Sequence, residues 1–134
     1  MDANEKYEYW LENANYDMKA AEAMLNSGMW VYTVFMCQQA IEKLVKGIYG
    51  ILVDADNIPR VHNITRLFKE FENVLEVPVK DEYYDLFETL TGYYLNNRYP
   101  DFKTHLLSTT NKEKANELYT QSKEAFAWLQ TLKP

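Results

Sequence analysis

The sequence predicts an all-α protein, an antiparallel, up-and-down bundle of four to five helices in a single domain, residues 1–134. The chain contains only four glycines and four prolines, fewer than the many tight turns of a β-sandwich or barrel require. Apolar residues recur every three to four positions over long segments, which is the period of a helix with one buried face. No segment alternates between polar and apolar residues as a half-buried strand does.

The first half of the chain predicts two long helices. The first carries a stripe of apolar residues, three or four positions apart, from Tyr7 to Leu25. Gly28 follows as a C-cap, because glycine readily adopts the left-handed conformation in which many helices end. The second helix runs from about Trp30 to Leu52, and the segment DADNIP forms the loop after it.

Two further helices follow this loop. A short third helix begins near Asn63, a residue type that often caps helix N-termini, and ends near residue 72. Pro78 lies in the next connection. The fourth helix covers about Asp81 to Asn96 and ends at NNRYPD, because Pro100 disfavours helical backbone at the preceding residue.

The last helix is predicted by its start signal and by its apolar spacing. Thr110 and Glu113 match a capping box, in which each side chain bonds the backbone at the other residue. Apolar positions then continue to about Leu132. The segments together predict a helical bundle.

The second helix contains two adjacent glutamines in the segment MCQQAIEKLVKGIYG. Gln38 projects into the apolar arc, so we expect it in the core, bridging backbone groups of a neighbouring helix or of a dimer mate. Gln39 falls about 100° away, beside Lys43 and on the side of the helix that carries Gly47. Small residues there allow close helix packing, self-association or the approach of a flat ligand.

Composition and charge restrict the class of protein. The longest apolar run, MWVYTVFMC, is about half a membrane span, and the acidic N-terminus lacks a signal region. A single cysteine, Cys37, cannot form an internal disulfide, so we expect a cytoplasmic protein. The net charge of −6 argues against indiscriminate nucleic-acid binding, although residues 43–69 hold five basic residues against two acidic ones.

Few kinds of catalytic chemistry fit the sequence. It has two histidines and neither Cys-x-x-Cys nor His-x-x-x-His spacing, so we expect no metal site and no cofactor. Cys37 lies within a helix on an apolar face, where an inert thiol is expected. No glycine-rich phosphate loop is present.

The two histidines nevertheless lie in informative segments. His62 precedes the third helix in RVHNITRLF, where its ring could contact an anion or bond a backbone group of the turn. Arg98 and His105 are separated by six residues. An arginine and a histidine together could cleave an RNA phosphodiester without metal, with the ribose 2′-hydroxyl as nucleophile.

Four segments in order cover nearly the whole chain: YWLENANYDMKAAEAML, GMWVYTVFMCQQAIEKLVKGIYG, VHNITRLF and NNRYPD. Together they resemble the HEPN domain (higher eukaryotes and prokaryotes nucleotide-binding). The resemblance implies an antiparallel bundle of four or five helices that dimerises. It also implies a minimal nucleotidyltransferase as partner, in a system that resembles toxin–antitoxin pairs, and a nucleotide or RNA as ligand.

The resemblance also implies site residues. The segments Gln38–Ala40 and Glu42–Lys43 match the signature of the second helix. His62 matches the histidine after the long loop, with Val61 where the family usually has threonine or serine. Arg98–Asp101 match the motif after the fourth helix, and His105 completes the ribonuclease spacing.

These matches lead to three alternative functions. The first is a nucleotide- or RNA-binding groove formed by Gln39, Lys43, His62, Arg98 and Asp101. In it, Lys43 and Arg98 contact phosphate, and Asp101 orients His62 or Arg98. The second is a metal-independent endoribonuclease with Arg98 and His105 as catalytic residues. The third is a structural adaptor that binds the transferase through its aromatic surface and takes no ligand.

Overall fold

The computed structural model describes residues 1–134 as a bundle of six helices without a strand. The helices are α1 (Ala3–Asn26), α2 (Trp30–Tyr49), α3 (Ile64–Lys69), α4 (Asp81–Asn96), α5 (Pro100–Thr109) and α6 (Lys112–Gln130). A π-helical turn, Gly50–Asp54, extends α2, and a 3₁₀ turn, Glu72–Val74, follows α3. The predicted all-α bundle is confirmed, with α5 in addition. No helix is both long and apolar enough to cross a membrane.

Helix α2 forms the centre of the bundle. Thirteen of its twenty residues are buried, more than one face of a surface helix can account for. It packs along α1 in a helical hairpin, and α6, α4 and α3 cover its remaining sides. The polar residues of α2 are therefore held among apolar neighbours, which fixes their geometry.

The helix ends follow the local sequence, with one correction. Gly28 has a φ of +79°, in the left-handed region that glycine favours, so the predicted end of α1 is confirmed. The Asn63 side chain accepts a hydrogen bond from the Arg66 amide, as expected of an N-cap. The predicted cap of α6 was wrong by one residue: Asn111 caps the helix. The Thr110 hydroxyl instead bonds the Tyr93 hydroxyl at 2.7 Å in the core.

Helix α5 lies where the sequence predicted only a break. The helix does break before Pro100, as predicted, but Pro100 itself occupies the first turn of α5. Proline is favoured there because its fixed φ suits a helix and its missing N–H would have no partner within the helix. None of the ten residues of α5 is buried, so its apolar spacing gave no signal.

The side of α2 that carries Gly47 is occupied by α1. A Cβ atom added to Gly47 would lie 2.9 Å from the Trp10 Cβ, so only glycine allows the two helices to approach this closely. Close helix packing accounts for the small residue, and this face is closed to a flat ligand.

Candidate functional site

The carboxylate of Glu42 is the centre of a polar network inside the bundle. Its side chain is only 6% exposed. Gln38 Nε2 donates to Oε1 at 2.8 Å, and Lys46 Nζ donates to Oε2 at 3.2 Å. His62 Nδ1 lies 3.1 Å from Oε1 and 3.2 Å from Oε2. A buried carboxylate is costly unless donors surround it, and here three side chains supply them.

The two glutamines extend this network towards the surface. Gln39 Nε2 donates to Gln38 Oε1 at 2.6 Å, and Gln38 Nε2 also lies 3.5 Å from the His62 carbonyl oxygen. Gln38 is fully buried, as the sequence predicted, but it bonds mainly to side chains rather than to a neighbouring helix's backbone. We call Gln38, Gln39, Glu42, Lys46 and His62 the Glu42 cluster.

The imidazole of His62 is held on two sides and open on a third. Its side chain is 45% exposed, with Glu42 bonded to Nδ1. The Tyr94 ring of α4 packs on it with a centroid distance of 4.5 Å. Tyr94 in turn stacks on Phe35 of α2 at 5.8 Å. Side chains from α2 and α4 therefore fix a residue that lies just before α3.

Lys43 lies beside the cluster but faces α1. Its ammonium group donates to Asp17 Oδ2 at 2.6 Å, and Asp17 is buried. The contact between Lys43 and phosphate stays a prediction, and in the unliganded chain a buried aspartate holds this cation. Lys46, which the sequence did not single out, belongs to the Glu42 cluster instead.

The remaining predicted residues lie in a second region, residues 98–105, which we call the α4–α5 junction. Arg98, Asp101 and His105 are all exposed. The side chains of all three make no hydrogen bond or ion pair within the chain, whether to one another or to His62. The predicted role of Asp101 in orienting His62 is corrected: Glu42 contacts that ring.

An open polar groove between α3 and α4 adjoins the Glu42 cluster. It has a volume of about 660 Å³, and no hydrophobic residue lines it. It starts at Asn63, next to His62, and at Thr91, one turn before Tyr94. Its charged side chains are the basic Arg66 and Lys69 and the acidic Glu70 and Glu88. Thr65 also lines the groove, but its hydroxyl oxygen is buried beneath the surface and has no hydrogen-bond partner.

Comparison with known proteins decides the family. The sequence model of the HEPN domain family matches residues 7–132 of this chain. The chain belongs to the HEPN domain family. The sequence resemblance is thereby confirmed, and the match includes the Glu42 cluster, the α3–α4 groove and the α4–α5 junction. Among curated proteins, none matches the chain.

Two solved structures share the fold of this HEPN protein. TT1696 from Thermus thermophilus is 23% identical, with a TM-score of 0.76 over 95% of this chain and 98% of that one. ST0689, an archaeal HEPN homologue, is 21% identical, with a TM-score of 0.71 over 96% and 98%. At these identities the likeness establishes the fold alone.

Sequence reasoning missed three residues around His62: Glu42 as the centre of the cluster, Lys46 and Tyr94. The sequence did indicate the first two, because Gln38, Glu42 and Lys46 are spaced four residues apart and residues with this spacing meet on one face of a helix. No sequence pattern indicated Tyr94, because its contact with His62 depends on how α4 packs against α2.

Proposed function

We propose that this HEPN protein is a cytoplasmic nucleotide- or RNA-binding module that works as a homodimer beside a minimal nucleotidyltransferase, in a system that resembles toxin–antitoxin pairs. The family supports the dimer and the partner. The ligand site is the Glu42 cluster together with the α3–α4 groove. Gln39 and His62 are the predicted site residues that lie in it.

The observation that carries the proposal is the half-exposed His62, fixed by a buried carboxylate at the end of a polar groove. All seven residues that line the groove are polar or charged, which suits a polar ligand. Arg66 and Lys69 supply positive charge for phosphate, and a base can pack beside the aromatic pair of His62 and Tyr94.

Nucleotide binding can be tested by calorimetry with AMP, ATP and a short single-stranded RNA. We expect at least one of them to bind. We expect His62→Ala and Arg66→Ala to weaken that binding by roughly tenfold, because each removes one hydrogen bond to the ligand. Lys19→Ala, which removes an exposed positive charge from α1, is the matched control and should bind as the wild type does. Equal affinity in all four proteins would refute the site.

A second candidate function is the metal-independent endoribonuclease. It is favoured by Arg98 and His105, which are exposed and free of protein partners, beside the rings of Tyr99 and Phe102. In such an enzyme the histidine transfers the proton and the arginine stabilises the developing negative charge. Cleavage of RNA in excess chelator, lost in Arg98→Ala and in His105→Ala but kept in His62→Ala, would support it.

The adaptor alternative gives a third pattern of results. An adaptor copurifies with the nucleotidyltransferase when the two are expressed together, and no nucleotide changes its melting temperature. Copurification together with nucleotide binding supports the paired module that we propose.

A further inference from the structure

We infer that Glu42 is a positioning residue: it holds neutral His62 in the tautomer with the proton on Nδ1, so that Nε2 accepts a hydrogen bond from a hydroxyl or amino group of the ligand. The tautomer is a property of the unliganded protein. The ligand contact rests on the proposed function and names the part of the nucleotide that the site recognises.

The proton on Nδ1 follows from the bonding of the carboxylate. Both oxygens of Glu42 lie within 3.2 Å of Nδ1, and the carboxylate is ion-paired with Lys46. An ionised carboxylate only accepts hydrogen bonds, so Nδ1 must be the donor. A neutral imidazole carries one proton, which leaves a lone pair on Nε2.

Two other side chains complete the surroundings of this pair. Lys46 Nζ lies 3.2 Å from Oε2, so it bonds the carboxylate and leaves the ring nitrogens of His62 free of a second donor. The ring of Tyr94 packs on the imidazole and offers no hydrogen-bonding atom to Nε2.

The exposed side of the ring therefore accepts hydrogen bonds. His62 Nε2 makes no hydrogen bond within the chain, and nearly half of the side chain is exposed. A phosphate oxygen has no proton to donate and is repelled by the Nε2 lone pair. We therefore assign phosphate to Arg66 and Lys69, and the ribose hydroxyls or a base amino group to His62.

The tautomer can be read directly from the ring nitrogens by two-bond ¹H–¹⁵N correlation spectra at pH 8.5, above the usual titration range of histidine. We expect a protonated Nδ1 and an unprotonated Nε2 in His62. His105, exposed and without a partner, is the internal control and should show the Nε2–H form that free histidine prefers. A His62 that is protonated on Nε2, or on both nitrogens, would overturn the inference.

The variant Glu42→Met tests whether the carboxylate causes this state. Methionine keeps most of the volume but removes both acceptors, so His62 should revert to the Nε2–H form, with helicity checked by circular dichroism. An unchanged His62 in a folded variant would overturn the role of Glu42. Should the variant not fold, the wild-type spectrum alone still decides the tautomer.

The ligand contact is tested with AMP, its 2′,3′-dideoxy analogue, IMP and inorganic pyrophosphate. Roughly five- to tenfold weaker binding of the dideoxy analogue assigns the ribose hydroxyls, and the same loss with IMP assigns the base amino group. Either difference should disappear in His62→Ala. Pyrophosphate should leave the Nε2 signal unmoved.

The possible failures are distinct. Binding of AMP, IMP and the dideoxy analogue with equal affinity would overturn the contact and leave the proposed function intact. No binding by any nucleotide would overturn both, while the spectrum still decides the tautomer.

Discussion

The Glu42 cluster and the α4–α5 junction both carry polar residues, but they differ in how those side chains are held. In the cluster every side chain has a partner, and Gln38 and Glu42 are buried. In the junction Arg98, Asp101 and His105 are exposed, and their side chains have no partner. The side chains of the cluster are therefore held in place before any ligand arrives, whereas those three side chains of the junction are not.

Burial explains the difference. A buried polar group without a partner destabilises the fold by about 1–3 kcal/mol, so the polar groups of α2 must be paired for the bundle to form. The exposed side chains of the junction have water as their partner and need no fixed geometry. A nuclease built from Arg98 and His105 therefore requires a substrate or a second copy to align them, whereas a binding site at His62 does not.

The largest expected difference between the two regions is in hydrogen exchange. Buried amides of α2 should exchange only on global unfolding, which costs about 5–15 kcal/mol in a domain of this kind. Amides of α5 should exchange through local opening at a small fraction of that free energy, because no residue of α5 is buried. Residue-resolved exchange measured by NMR checks this. Equal protection of α2 and α5 would show that the junction is part of the rigid core.

The next largest effect is expected from removing the centre of the cluster. Glu42→Ala leaves the amide of Gln38 and the ammonium of Lys46 without their acceptor, and we expect a loss of about 3 kcal/mol in the free energy of unfolding. Asp101→Ala is the matched control, since it removes an exposed carboxylate without partners and should change stability by less than about 0.5 kcal/mol. Urea denaturation measures both, and similar values for the two would contradict the comparison.

The sequence predicted most of the fold because the core helices repeat their apolar residues with a clear period. The long helices α1, α2, α4 and α6 were found in this way, and the short α3 from Asn63 at its start. Helix α5 was missed because none of its residues is fully buried and because Pro100 was interpreted as a break rather than as its first turn.

The site was predictable only in part. The spacing of Gln38, Glu42 and Lys46 is local to one helix, so their contacts could have been deduced from the sequence. The contact of Glu42 with His62 joins residues twenty positions apart and depends on the path of the connection between α2 and α3. The pairing of Lys43 with Asp17 depends in the same way on the register of α1 against α2.

A smaller effect is expected on the face of α2 that packs against α1, where rigidity comes from close packing rather than from hydrogen bonds. Gly47→Ala places a Cβ atom 2.9 Å from the Trp10 Cβ and should destabilise the protein by about 1–2 kcal/mol, the usual range for overpacking. Gly92→Ala in α4 is the control, because its Cβ would meet nothing within 4 Å. That variant should stabilise by about 0.5–1 kcal/mol. The two melting temperatures should therefore move in opposite directions.

A pH-dependent effect is expected from Cys37, which is buried on α2. Burial raises the pKa of its thiol from 9.0 to about 12. Well below pH 9 the thiol is protonated in both states, so stability is unaffected. As the pH rises through 9, the thiol ionises in the unfolded chain first, which lowers the free energy of unfolding. At pH 10 this amounts to about 1.4 kcal/mol.

The measurement is the fall in unfolding free energy between pH 8 and pH 10 in the wild type and in Cys37→Ala. The tyrosines ionise in both proteins, so their contribution cancels. The variant should lose less stability over this interval, and an equal fall in the two proteins would show that the thiol does not contribute.

The smallest effect is expected at the surface of α5. Phe102 is 53% exposed, and its ring lies beside that of exposed Tyr99, so Phe102→Ala should change the stability of the isolated chain by less than about 0.5 kcal/mol. Phe87→Ala, at a fully buried position of α4, is the control and should cost about 3–5 kcal/mol.

Measuring denaturation at several protein concentrations also tests whether a second copy of the chain covers α5. If a second copy covers α5, the cost of Phe102→Ala will grow with concentration because dimerisation stabilises the folded chain, whereas the cost of Phe87→Ala will not. A large cost for Phe102→Ala that is independent of concentration would mean that α5 is anchored to the bundle as firmly as α4.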